Sequence, residues 1–98
     1  MTLPISVIIP TLDEEQTIIA TLAHTASLGF DEVIVVDGGS LDQTSVLVES
    51  YRGKTHVTLQ LVTAPCGRAR QMNEGAKASH GEILLFLDRK STRLNSSH

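Results

Sequence analysis

The stretch that most constrains this chain runs from Glu32 to Thr44 and reads EVIVVDGGSLDQT. Val33 to Val36 are all β-branched, with no polar alternation, the pattern of a strand covered on both faces in a parallel sheet. The run ends on a carboxylate, Asp37. Gly38 and Gly39 then permit a tight turn, and Ser40 with Gln43 has the spacing of a capping box that opens a helix. In open α/β sheets ligands collect at the carboxyl ends of strands, so Asp37 stands where a small molecule is expected.

The rest of the chain repeats this unit. Ile5 to Ile9 is an apolar strand that Pro10 is expected to end. Thr11 with Glu14 forms a second capping-box pattern, and the helix it predicts carries Ile18, Ile19, Leu22, Ala23 and Ala26 on one face before Gly29. The helix after the Glu32 strand presents Thr44, Leu47, Val48 and Tyr51 at helical spacing. A third strand, Val57 to Val62, leads through Ala64 and Pro65 to Gly67. A third helix, roughly Arg68 to Ser79, carries the small residues Ala69, Gly75, Ala76 and Ala78, and a fourth strand spans Glu82 to Leu87. Four strands alternating with three helices predict an α/β fold, a partial Rossmann-like parallel sheet with right-handed crossovers and strand order 3-2-1-4. The tips that converge at its switch point are Thr11 to Glu15, Asp37 and Asp88.

At 98 residues the chain is one domain at most, and its 3% aromatic content makes any core aliphatic. A formal charge of −3 argues against nucleic acid or an anionic membrane surface as a partner. Cys66 is alone and forms no internal disulfide. With neither a signal-peptide pattern nor an apolar run long enough to span a bilayer, a cytoplasmic location is expected.

The tips exclude two common sites. A dinucleotide fold places G-x-G-x-x-G after its first strand, and here that turn is Pro-Thr-Leu-Asp-Glu-Glu, whose carboxylates repel phosphate. The phosphate loop G-x-x-x-x-G-K-[ST] is absent as well. Carboxylates at strand tips suit hydrogen bonds from ribose hydroxyls and base N–H groups, with a divalent cation neutralising a diphosphate.

The runs SVIIPTLDEE, VVDGGSLDQT and GRARQMNEGAKASHGEILLFLD resemble, in order, the amino-terminal half of a family-2 glycosyltransferase with the nucleotide-sugar (GT-A) fold. The resemblance is strongest to a bacterial subgroup whose third motif reads G-R-A-x-Q-M-N-x-G-A. It implies transfer of a sugar from a nucleotide diphosphate sugar donor to an acceptor hydroxyl, with Mg²⁺ or Mn²⁺ as cofactor. It further implies that Thr11 and Glu14 border the nucleoside, that Asp37 lies near base or ribose, that Arg68 lies near the nucleotide, and that Asp88 takes the first place of the D-x-D metal motif. Gly38 stands where many members carry a second Asp, and Lys90 where the metal motif has its second carboxylate. A nucleotidyltransferase is the alternative enzyme class, but it usually carries a glycine-rich basic loop after the first strand, which Pro10 to Glu15 is not. An inactive fragment that binds nothing is the third reading.

The apolar pattern stops after Leu87, and DRKSTRLNSSH resembles the conceptual translation of a sequencing-library adapter. Residues 1–87 are therefore expected to be the nucleotide-binding half of a longer domain, and residues 88–98 a non-native, disordered tail that leaves the fourth strand as an unpaired edge and the chain without transferase activity. Plainer roles stand beside the functional ones. Glu14 can serve only its capping box, Asp42 a helix N-terminus, Arg68 and Arg70 a solvated helix face, and Asn73 and Gly75 close packing. Cys66 reads as a small packed thiol, and His24, His56 and His80 as surface residues without metal-ligand spacing.

Overall fold

The computed structural model describes residues 3–88 and 93–95. In chain order the elements are β1 (Ile5–Thr11), α1 (Ile18–Ser27), β2 (Glu32–Asp37), α2 (Thr44–Arg52), β3 (Thr58–Thr63), α3 (Arg68–Ala78), β4 (Ile83–Asp88) and β5 (Arg93–Asn95). The first four strands form the expected parallel sheet in order 3-2-1-4, with Ile8 of β1 opposite Ile34 of β2 and Phe86 of β4. No helix among the described residues is long and apolar enough to cross a membrane.

The unbroken apolar strands divide by pleat between two cores. Val7, Ile9, Val33 and Val35 join Ile18 and Leu22 of α1 and Val48 of α2 on one face, with Leu47 and Tyr51 packed against them. Ile8, Ile34 and Val36 face the other way, against Ala76 of α3 and Ala64. This two-sided burial is why β2 needs no polar alternation, and its six residues are all buried.

Four local expectations are corrected. Pro10 does not end β1, which runs on to Thr11 with Pro10 opposite Val36. Pairing with β4 stops at Ile8, so Pro10 sits where β1 has a neighbour on one side only and a missing N–H is tolerated. Neither capping box forms: Thr11 is a buried strand residue and α1 begins at Ile18, while α2 begins at Thr44 after Gln43, and neither helix has a side-chain cap bond. On α1 the buried stripe is Ile18, Thr21, Leu22 and Thr25, with Ile19 and Ala23 exposed. The two threonines can be buried because their hydroxyls donate to the carbonyls of Thr17 and Thr21, one turn back. Finally, β4 is not an unpaired edge, because β5 lies antiparallel beside it with Leu87 opposite Leu94.

Candidate functional site

The loops that follow β1 and β2 lie side by side at the carboxyl end of the sheet, and Asp37 organises them. Its side chain is only 4% exposed. Oδ2 accepts the amides of Gly39 at 3.1 Å and Ser40 at 2.9 Å, while Oδ1 accepts the Ser40 hydroxyl and, at 3.5 Å, that of Thr11. Gly39 takes φ 96°, the left-handed conformation that this carboxylate-closed turn requires. Thr11 is equally buried, and its carbonyl accepts the Gly38 amide at 2.9 Å. Thr11 and Asp37, two of the three residues expected to meet a nucleoside, are thus joined to each other, and Asp37 also holds the turn together.

The acidic residues of the first loop reach across to the second. Asp13, at φ 50°, receives the Leu41 amide on its carboxylate at 2.8 Å while its own amide donates to Ser40 Oγ at 2.8 Å. Glu15 and Asp42 repeat this exchange: the Glu15 amide donates to Asp42 Oδ2 at 3.1 Å and the Gln43 amide to Glu15 Oε1 at 2.9 Å. Asp42 also accepts the amide and hydroxyl of Thr44 at the start of α2, the helix-terminus role its charge suggested. Partial burial pushes the Asp42 carboxyl upward, but the bonds from Thr44 and Glu15 outweigh it and hold the group below its ordinary value. The Glu14 amide donates to Thr44 Oγ1 at 2.8 Å, and the Glu14 carbonyl accepts the amides of Thr17 and Ile18, so this residue turns the chain into α1 by its backbone. Asp13, Glu14, Glu15 and Asp42, with Gln16 and Thr17, line an open cleft of ≈ 400 Å³.

Helix α3 is brought to the same strand tips by Gln71, a residue that sequence reasoning passed over although it lies inside the third motif. Gln71 is 5% exposed, and its Nε2 donates to the carbonyls of Thr11 and Val36, each at 2.9 Å. Its Oε1 accepts the Gly67 amide at 3.3 Å. Arg68 opens this helix and is exposed on its first turn. Arg70 and Asn73 border a separate surface groove with Glu74 and Lys77, which suits the solvated-face reading of Arg70. Cys66 is exposed rather than packed, because it lies in the loop before α3 instead of beneath it.

The opposite end of β2 carries a second buried carboxylate, Glu32, to which the sequence pattern assigned no role. Glu32 receives the Ser6 hydroxyl at 2.8 Å, the Gln60 amide group at 2.6 Å, and the backbone amide and ring Nδ1 of His80 at 2.8 and 3.0 Å. Burial pushes its pKa upward, but these bonds favour the charged form and bring it from 4.5 down to about 2. This cluster joins β1, β2 and β3 to the turn before β4, far along the strand from Asp37, and is structural.

Asp88 closes β4, with its backbone opposite Arg93. Its side chain and Lys90 lie outside what the structure describes. Among the described residues no group of three or more His, Cys, Asp or Glu is placed to hold a metal ion, and the carboxylates of Asp13, Glu15, Asp37 and Asp42 are engaged by amides.

This sheet, with its acidic turns, has relatives. The sequence matches the family described as Glycosyl transferase family 2 over residues 6–89. It is 40% identical over 88 residues to poly(ribitol-phosphate) beta-N-acetylglucosaminyltransferase TarS of Staphylococcus aureus, covering 85% of this chain and 15% of that protein. It is 32% identical over 90 residues to glucosyl-3-phosphoglycerate synthase of Mycolicibacterium paratuberculosis, covering 86% of this chain and 27% of the relative. Among solved structures, S. aureus TarS 1–349 superposes with a TM-score of 0.76 at 36% identity, covering 87% of this chain and 27% of that one. The same protein in complex with UDP gives 0.72 at the same identity and coverage. The chain thus spans well under a third of these relatives. With the family match extending over most of its length and the four parallel strands in the expected order, the chain belongs to glycosyl transferase family 2 and carries part of the GT-A fold.

Proposed function

We propose that this chain supplies the nucleotide-binding part, residues 1–87, of a glycosyltransferase that moves a sugar from a UDP-sugar donor to an acceptor hydroxyl. The likeness to a TarS structure solved with UDP carries this reading. In it the nucleoside lies over the tips of β1 and β2. Thr11 and Asp37 form the floor, Glu14 borders the nucleoside, and Arg68 faces the nucleotide from the first turn of α3. Carboxylates and a threonine hydroxyl suit the donors of a ribose and a pyrimidine edge, and the guanidinium suits the anionic part of the ligand. Their rigid mounting supports the assignment, since the Asp37 turn is held by four hydrogen bonds before any ligand arrives.

The acceptor's proton goes to a carboxylate base outside this chain. A Mg²⁺ or Mn²⁺ ion would neutralise the diphosphate, and such an ion needs more donors than Asp88 alone. Its site belongs to the longer enzyme together with the diphosphate oxygens, and residues 88–98 stand outside the nucleotide-binding part. A cytoplasmic setting goes with this reading. Calorimetric titration of UDP into the chain tests the proposal. Saturable binding that exceeds that of inorganic phosphate is expected, and UDP binding no better than phosphate overturns it.

A further inference from the structure

We propose, resting on the reading of the strand tips as a nucleoside site, that Gln71 is a positioning residue that holds the first turn of α3, and with it Arg68, in register with the floor formed by Thr11 and Asp37. Nothing in the sequence-level motif assigns such a role. A long polar side chain that is 5% exposed stays buried only if its hydrogen bonds are met. Here both N–H groups are spent, at 2.9 Å each, on carbonyls of two different strands. One carbonyl belongs to Thr11 itself and the other to Val36, the residue before Asp37. The carboxamide oxygen takes the amide of Gly67, which immediately precedes Arg68. The reverse orientation would set an oxygen against two carbonyls, so the partners dictate the one described. No N–H remains for a nucleotide, and Gln71 therefore acts through its neighbours rather than by touching ligand.

The turn after Asp37 is built around this group. A Cβ on Gly38 would stand 2.9 Å from Gln71 Cδ and 3.0 Å from both Nε2 and Oε1. Gly38 does not adopt a left-handed φ, so it is glycine to leave room for the carboxamide and not for the sake of its backbone. The space that a side chain at position 38 would fill is occupied by Gln71, reaching in from α3. Arg68 lies three residues before Gln71 on the same helix, so loosening Gln71 frees the arginine from the strand tips as well as the floor.

The test is UDP affinity by calorimetry, well below the unfolding midpoint, for the full chain as wild type, Gln71→Met, Arg68→Ala, the double variant and Gly38→Ala. Gln71→Met keeps the length and removes the hydrogen bonds, and it is expected to weaken UDP about tenfold. Arg68→Ala should weaken UDP in the wild type and add little once Gln71 is Met, because the arginine is then already out of register. Gly38→Ala forces the carboxamide aside without removing it and should weaken UDP in the same direction; it carries the test if Gln71→Met does not fold. A residue serving stability alone would lower the unfolding midpoint and leave the affinity of folded protein unchanged. That result, or effects of Arg68→Ala and Gln71→Met that simply multiply, overturns the inference. If wild type binds no UDP, the site reading fails and the inference falls with it, whereas wild-type binding that Gln71→Met and Gly38→Ala leave intact sinks the inference alone.

Discussion

Gly75 of α3 lies so close to Ile8 of β1 that a Cβ on it would stand 2.5 Å from Ile8 Cγ2. The next nearest neighbour, Val36 Cγ2, would be at 3.0 Å, and both strand residues are fully buried and cannot retreat. Alanine is the better helix former by about 1 kcal/mol, but overpacking costs about 1–3 kcal/mol. Gly75→Ala is accordingly expected to destabilise the chain. Urea denaturation should show a lower midpoint at unchanged slope, and a raised midpoint would mean that α3 can lift off the sheet at no cost.

Glu32 gives the fold a definite acid sensitivity. Its pKa in the folded chain, about 2, lies below its ordinary 4.5, so the stabilisation is fully present above pH 4.5 and is lost as pH falls through that window toward 2. At most it amounts to about 3 kcal/mol. Glu32→Gln turns a donor toward groups that are themselves donors, and should lower stability at neutral pH by about 1–3 kcal/mol while flattening the decline between pH 4.5 and 2. Denaturation midpoints for both proteins across that range decide it, and parallel pH curves would show that other carboxylates dominate.

Asp37 is expected to affect both folding and binding. Asp37→Ala leaves the amides of Gly39 and Ser40 without their acceptor, and should weaken UDP by about 1–3 kcal/mol as well as lowering stability. Asp37→Asn can keep one oxygen for those amides and so separates shape from charge. Calorimetry on the asparagine variant should show affinity between those of wild type and alanine, and unchanged affinity in both variants would remove Asp37 from the nucleoside floor.

The chain by itself should transfer no sugar. It spans 15% to 27% of the relatives compared, and its described carboxylates do not gather into a cation site. Incubation of purified chain with UDP-sugars and Mg²⁺ or Mn²⁺, followed by measurement of released UDP, should give no signal above a heat-killed control. Release above that control would show that a complete catalytic set is present.

The sequence alone determined the order of elements from β1 to β4 and the acidic turn that ends β2. Runs such as Val33 to Val36 bury both faces of a strand whatever surrounds them, and alternation with short amphipathic helices leaves a parallel sheet as the simplest way to cover them. The carboxylate at Asp37 followed by two glycines was readable for the same reason, since it depends on neighbours two or three residues away. The tertiary structure decided what the polar residues do. Thr11 and Ser40 sit in capping-box spacing, yet Ser40 bonds Asp13 and Asp37 while Thr11 is drawn into the sheet, because the neighbouring loop offers partners that a local pattern cannot contain. The roles of Glu32 and Gln71 lay further out of reach. Glu32 meets His80 across 48 residues and Gln71 meets Thr11 across 60, and such partners exist only once the chain has folded and water has left the groups that must pair.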